Sequence, residues 1–119
     1  MGVKSPMPAE VAAAYDAPFP DDTYKAGARV FPMLVPTSPD DPAAAANRAA
    51  WNVLERWGKP LLTLFSDSDP ITAGGDRVFR ERVPGAAGQP HMTIEGAAHF
   101  LQEDKGPEIA ALLADFVLA

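Results

Sequence analysis

Two short apolar runs, Leu61-Leu62-Thr63-Leu64-Phe65 and His91-Met92-Thr93-Ile94, constrain this chain more than any other feature. Glycine, proline or aspartate punctuates the chain around each. The first is nearly all apolar, which predicts a strand buried on both faces, as in a parallel sheet. Between the runs, Gly74-Gly75-Asp76 opens a helix to about Val83, and Pro84-Gly85 and Gly88-Gln89-Pro90 form the next loop. A helix also precedes the first run. Asp41 suits its N-cap, Pro42 its first position, and Ala46, Ala50, Val53, Leu54 and Trp57 recur at helical spacing. Gly58 is suited to a left-handed stop, and Pro60 blocks continuation. After the second run, Gly106-Pro107 starts a last helix with Ile109, Leu112, Leu113, Phe116 and Val117 on one face. Helix, strand, helix, strand, helix with short loops predicts an α/β fold, with right-handed crossovers and a parallel sheet.

Residues 1–40 read differently from residues 41–119. They are rich in proline and aspartate and hold only short helical pieces. Ala9–Tyr15 forms one behind Pro8. Asp22 caps a second that runs through Val30, and Pro32 kinks or ends it, because proline lacks the N–H and clashes with the preceding turn. Pro36-Thr37-Ser38-Pro39 is a loop.

Charge and cysteine count exclude several functions. A net charge of −6 argues against nucleic acid and anionic membrane surfaces as partners, since both need a basic face. The absence of cysteine removes disulfides, thiolate metal sites and cysteine nucleophiles. No apolar signal-peptide core follows Met1-Gly2-Val3, and no apolar run reaches the length of a membrane span. The expected setting is the cytoplasm.

In parallel sheets, chemistry collects at the carboxyl ends of the strands. Asp67 and Asp69 follow the first run, and His99 follows the second. A carboxylate that accepts from one imidazole nitrogen fixes the tautomer and leaves the other nitrogen to take a proton. The plainer alternative is that Asp69, before Pro70, is a turn former and that both histidines are surface groups. His91 lacks an acid beside it in sequence and reads as structural or exposed. Trp51 and Trp57 read as packing residues. Ser66 and Ser68 lie far from any glycine elbow, which leaves little room for a serine hydrolase.

Local sequence adds to this. Phe65-Ser66-Asp67-Ser68-Asp69-Pro70-Ile71-Thr72 and Gly96-Ala97-Ala98-His99-Phe100-Leu101-Gln102-Glu103-Asp104 resemble the acid and histidine loops of haloalkane dehalogenases. Tyr15-Asp16-Ala17-Pro18-Phe19-Pro20 and Tyr24-Lys25-Ala26-Gly27-Ala28-Arg29-Val30-Phe31-Pro32 resemble the end of that family's cap domain. The resemblance runs from about Pro8 to the C-terminus and implies a partial α/β-hydrolase fold: the cap's end in 1–40 and the C-terminal core in 41–119. It implies that His99 is the base that activates a hydrolytic water and that Asp69 orients it, with Asp67 as rival. Phe31, Pro32, Ile71 and Thr72 would line an apolar pocket. The implied substrates are a small halogenated alkane and water, with no metal or organic cofactor.

The family's nucleophile is an aspartate that displaces halide and forms an alkyl ester, and it sits on a Gly-x-nucleophile-x-Gly elbow. No glycine here begins that pattern. The expectation is a C-terminal segment that needs a missing N-terminal half and is inactive alone. Two alternatives stand: an epoxide hydrolase segment, which shares the ester chemistry, and a non-catalytic remnant or complementation partner.

Overall fold

The computed structural model describes residues 2–119. The chain divides into two compact units: Met7–Val53, and Leu54–Ala119 together with the N-terminal residues through Pro6.

The first unit is helical. It holds α1 (Ala9–Asp16), a 3-10 turn at Asp22–Lys25, α2 (Ala26–Val30), a second 3-10 turn at Phe31–Leu34, and nearly all of α3 (Ala44–Leu54). Asp21 rather than Asp22 is the cap. Its carboxylate accepts from the Thr23 N–H at 2.8 Å and from the Thr23 hydroxyl, which holds its pKa below the ordinary carboxylate value. Asp22 instead pairs with Lys25 and Arg29 on the surface, a contact of little stabilising value. Pro32 ends the α-helix as expected, and the chain tightens there into the 3-10 turn. Asp41 caps α3 through the Ala43 N–H, at 2.8 Å. The helix begins two residues later than Pro42 and ends at Leu54 rather than at Trp57. Ala46, Ala50 and Val53 are exposed, so its apolar stripe is not buried. Trp57 is also exposed and lies under the Lys59 ammonium, not in a core.

The second unit carries the sheet. Strands β1 (Leu64–Ser66) and β2 (Met92–Ile94) pair in parallel, with Leu64 opposite Met92, Phe65 opposite Thr93 and Ser66 opposite Ile94. Helix α4 (Asp76–Arg82) and a 3-10 turn at Pro84–Ala86 make the crossover, and α5 (Leu101–Leu118) follows β2. The order matches the α/β expectation, but three details differ.

Strand β1 is shorter than the apolar run and only half-buried at Leu64 and Phe65. Among the described residues the sheet has only these two strands, so each strand is paired along one edge. Gly58 does not turn left-handed; Gly74, Gly88 and Gly96 do. Helix α5 starts at Leu101, ahead of Pro107. A break at Lys105 (φ −137°, ψ 32°) relieves the clash that proline imposes on the preceding turn. Only Ile109, Leu112 and Phe116 of its apolar stripe are half-buried; Leu113 and Val117 are exposed.

The core of this unit is small. Val83, Ala86, Ile94, Ala97 and Ala98 are buried, and Ile94 is the one large side chain among the described residues with no exposure at all. Thr63, Ser66 and Asp69 are buried beside them. Among the described residues, no helix is long and apolar enough to cross a membrane.

Candidate active site

The loops that leave β1 and β2 stay zipped beyond the strands. The Asp67 N–H donates to Ile94 O at 3.1 Å, and the Ser68 N–H donates to Ala97 O at 3.2 Å. This carries the aspartate loop alongside the histidine loop. Two residues apart, Asp67 and Asp69 would share a face in an extended chain, but the backbone bends at Asp67 and Ser68, and the two carboxylates reach different partners.

Asp67 serves the backbone. Its carboxylate accepts from Gly96 N–H at 3.1 Å and Ala97 N–H at 3.3 Å. The Gly96 bond, with help from Ser68, holds its pKa below the ordinary carboxylate value. Gly96 lies at φ 71°, a left-handed conformation suited to glycine, and that turn aims both N–H groups at Asp67.

Asp69 serves the histidine. Its Oδ2 lies 3.0 Å from His99 Nδ1, and the residue is 5% exposed. Two local donors fix the same carboxylate: Ile71 N–H on Oδ1 at 2.8 Å, and the Thr72 hydroxyl on Oδ2. Burial pushes the Asp69 carboxyl up, but the bonds from Thr72, His99 and Ile71 outweigh it and hold the pKa well below the usual range. An ionised carboxylate only accepts, so His99 Nδ1 carries the hydrogen. His99 Nε2 has no hydrogen-bond partner among the described residues. The ring lies 5.1 Å from that of Phe100, and with Leu64, Phe65, Ser66, Asp69, Thr72 and Leu101 it lines a cleft of about 150 Å³.

Thr72 therefore reaches the cleft and also anchors Asp69, a bond the sequence did not disclose. Ile71 is 65% exposed and contributes its backbone N–H. Phe31 and Pro32 open the 3-10 turn of the other unit, where Phe31 is 72% exposed.

His91 has a different setting. Thr63 N–H and Thr63 Oγ1 contact its Nδ1 at 3.1 and 2.9 Å, and its Nε2 donates to Ala86 O at 2.8 Å. It is a structural histidine.

No family model matches the chain. It is similar to curated proteins over nearly all of its length. It is 56% identical over 116 residues to the haloalkane dehalogenase of Psychrobacter cryohalolentis, covering 98% of this chain and 38% of that protein. It is 59% identical over 109 residues to that of Mycobacterium marinum, covering 92% and 36%. It is 62% identical over 104 residues to haloalkane dehalogenase 1 of Mycobacterium tuberculosis, covering 87% and 34%. The chain thus spans little more than a third of the length of the curated relatives it matches. Over that span it belongs to the haloalkane dehalogenase family, of which it represents the C-terminal part.

Proposed function

We propose that this chain provides the acid–base pair of a carbon–halogen hydrolase. His99 Nε2 takes a proton from water. The water oxygen attacks the carbonyl of an alkyl ester on an aspartate, the ester bond breaks, and alcohol and carboxylate result. That aspartate would come from sequence outside these 119 residues, because no glycine here begins the elbow it requires. Asp69 holds the Nδ1–H tautomer and stabilises the imidazolium that forms. The substrates would be a small halogenated alkane and water, with Ile71 and Thr72 beside the apolar part of the alkane. This chemistry calls on no metal or organic cofactor.

One observation carries the reading. A buried carboxylate, fixed by two local donors, grips one nitrogen of His99 while the other has no hydrogen-bond partner among the described residues and stands in a cleft walled largely by apolar side chains.

The test joins this chain to the N-terminal two thirds of the Psychrobacter cryohalolentis relative and follows bromide release from a bromoalkane. The joined protein should turn over, and the 119-residue chain alone should not. The His99→Gln variant of the joined protein should release one bromide per molecule and then stall, with an alkyl adduct visible by intact mass. Steady turnover by that variant would remove His99 from the role of base.

A further inference from the structure

Residues flanking both members of the Asp69–His99 pair are tied to one remote segment, the strap of residues 2–5. The Phe100 N–H donates to Gly2 O at 2.7 Å, which ties down the residue after His99. The Lys4 ammonium donates to Ser68 Oγ at 2.6 Å, which ties down the residue before Asp69. The residue before His99 is tied through Asp104. One oxygen of that carboxylate accepts the Ala98 N–H at 2.9 Å, and the carboxylate also accepts the Lys4 and Ser5 N–H groups at 2.9 Å each. The strap also packs closely on the histidine loop: a Cβ on Gly2 would lie 2.7 Å from the Phe100 ring.

We infer that Asp104 is a positioning residue, which joins the strap to the histidine loop and so sets the His99 ring against Asp69. The inference rests on the acid–base role given to that pair above. The physical reason is geometric. The histidine loop leaves β2 through a left-handed glycine, and Phe100, at its far end, is 48% exposed. A side chain on such a loop stays within hydrogen-bond distance of a buried acceptor only if the backbone on both sides is held. Asp104 holds one side directly and, through Lys4 and Ser5, secures the strap that holds the other. The break in α5 at Lys105 leaves Asp104 in a short first turn, separate from the helix that follows.

The test reads the tautomers of both histidines in the 15N-labelled chain, by long-range proton–nitrogen correlation at a pH where the rings are neutral. The wild-type chain should show His99 as Nδ1–H and His91 as Nε2–H. In Asp104→Ala, His99 should move largely to Nε2–H, the form a free imidazole prefers, while His91 stays unchanged. Asp104→Asn keeps one acceptor oxygen and should give an intermediate mixture. An unchanged His99 in Asp104→Ala overturns the inference. So does loss of the His91 signal together with that of His99 in both variants, since Asp104 would then support the whole unit and not the ring. His99 as Nε2–H in the wild-type chain would overturn this inference and the acid–base reading together. Steady turnover by the joined His99→Gln protein, beside tautomers that shift as expected, would fell only the base assignment.

Discussion

His91 and His99 carry their ring hydrogens on opposite nitrogens. The Thr63 N–H can only donate, so His91 Nδ1 must accept, and Ala86 O can only accept, so His91 Nε2 must carry the hydrogen. Asp69 imposes the reverse on His99. His91 therefore fastens the start of β1 to the 3-10 turn that precedes β2. In His91→Phe the buried Thr63 N–H loses its side-chain acceptor, at a cost of about 1–3 kcal/mol. Urea unfolding should show a lower midpoint with an unchanged slope. A midpoint equal to that of the parent chain would mean that the imidazole contributes nothing there.

Gly85 marks a second fastening on the same edge. Its N–H donates to Trp57 O at 2.8 Å, and its own carbonyl accepts from the Leu61 N–H at 3.0 Å. A Cβ at this position would lie 1.8 Å from Lys59 O, a backbone atom that cannot swing away. Gly85→Ala should therefore cost about 3 kcal/mol, the upper end of ordinary overpacking. The same urea experiment checks it. A loss of only a few tenths of a kcal/mol would show that the 57–61 segment shifts freely.

These contacts show where a sequence stops informing about structure. The alternation of helix and strand, the parallel pairing and the gathering of Asp67, Asp69 and His99 at one end follow from local punctuation and apolar runs. The choice between Asp67 and Asp69 does not. It depends on where β1 ends, and the Ser66-Asp67-Ser68-Asp69 repeat looks alike in either register. Asp104 was invisible for another reason. Gly106-Pro107 reads as a helix start, so Asp104 fell in a loop, and its partners Lys4 and Ser5 lie 100 and 99 residues away. The burial expected for α3 and α5 failed because an apolar stripe states that a face seeks cover and does not say which element supplies it.

Acid should loosen the second unit. Asp67, Asp69 and Asp104 are all shifted below the ordinary carboxylate value of 3.8. Hydrogen bonds to the charged form outweigh burial in each. A folded-state pKa below the unfolded one means that the folded state favours the deprotonated group. The stability this contributes is fully present above the unfolded value and is lost as pH falls through the lower folded values. The urea midpoint should be flat with respect to these groups above pH about 5 and fall steeply below about 4. Replacing Asp67 by Asn should shallow that fall. A pH dependence that survives unchanged in Asp67→Asn would show that the Gly96 and Ala97 bonds do not discriminate between charged and neutral forms.

The division of labour between the two loop aspartates gives a catalytic prediction, to be read in the joined protein. In Asp69→Asn the amide oxygen can stay on the Ile71 N–H in place of Oδ1, and the Thr72 hydroxyl can turn to accept from the NH₂ that replaces Oδ2, so the loop has reason to hold its shape. The amide NH₂ would then face His99 Nδ1, which must accept, and the ring hydrogen moves to Nε2. That nitrogen can no longer take a proton from water. Hydrolysis of the alkyl ester should fall by roughly 10⁴-fold, as expected where a triad acid is replaced by its amide. Halide displacement in the first turnover should persist, so a single-turnover burst separates the two steps. Asp67→Asn leaves the His99 tautomer alone, and its effect should appear in the urea midpoint far more than in the rate of ester hydrolysis. If Asp67→Asn instead abolished ester hydrolysis while Asp69→Asn left it intact, the contact between Asp69 and His99 would be structural, and the acid would be Asp67.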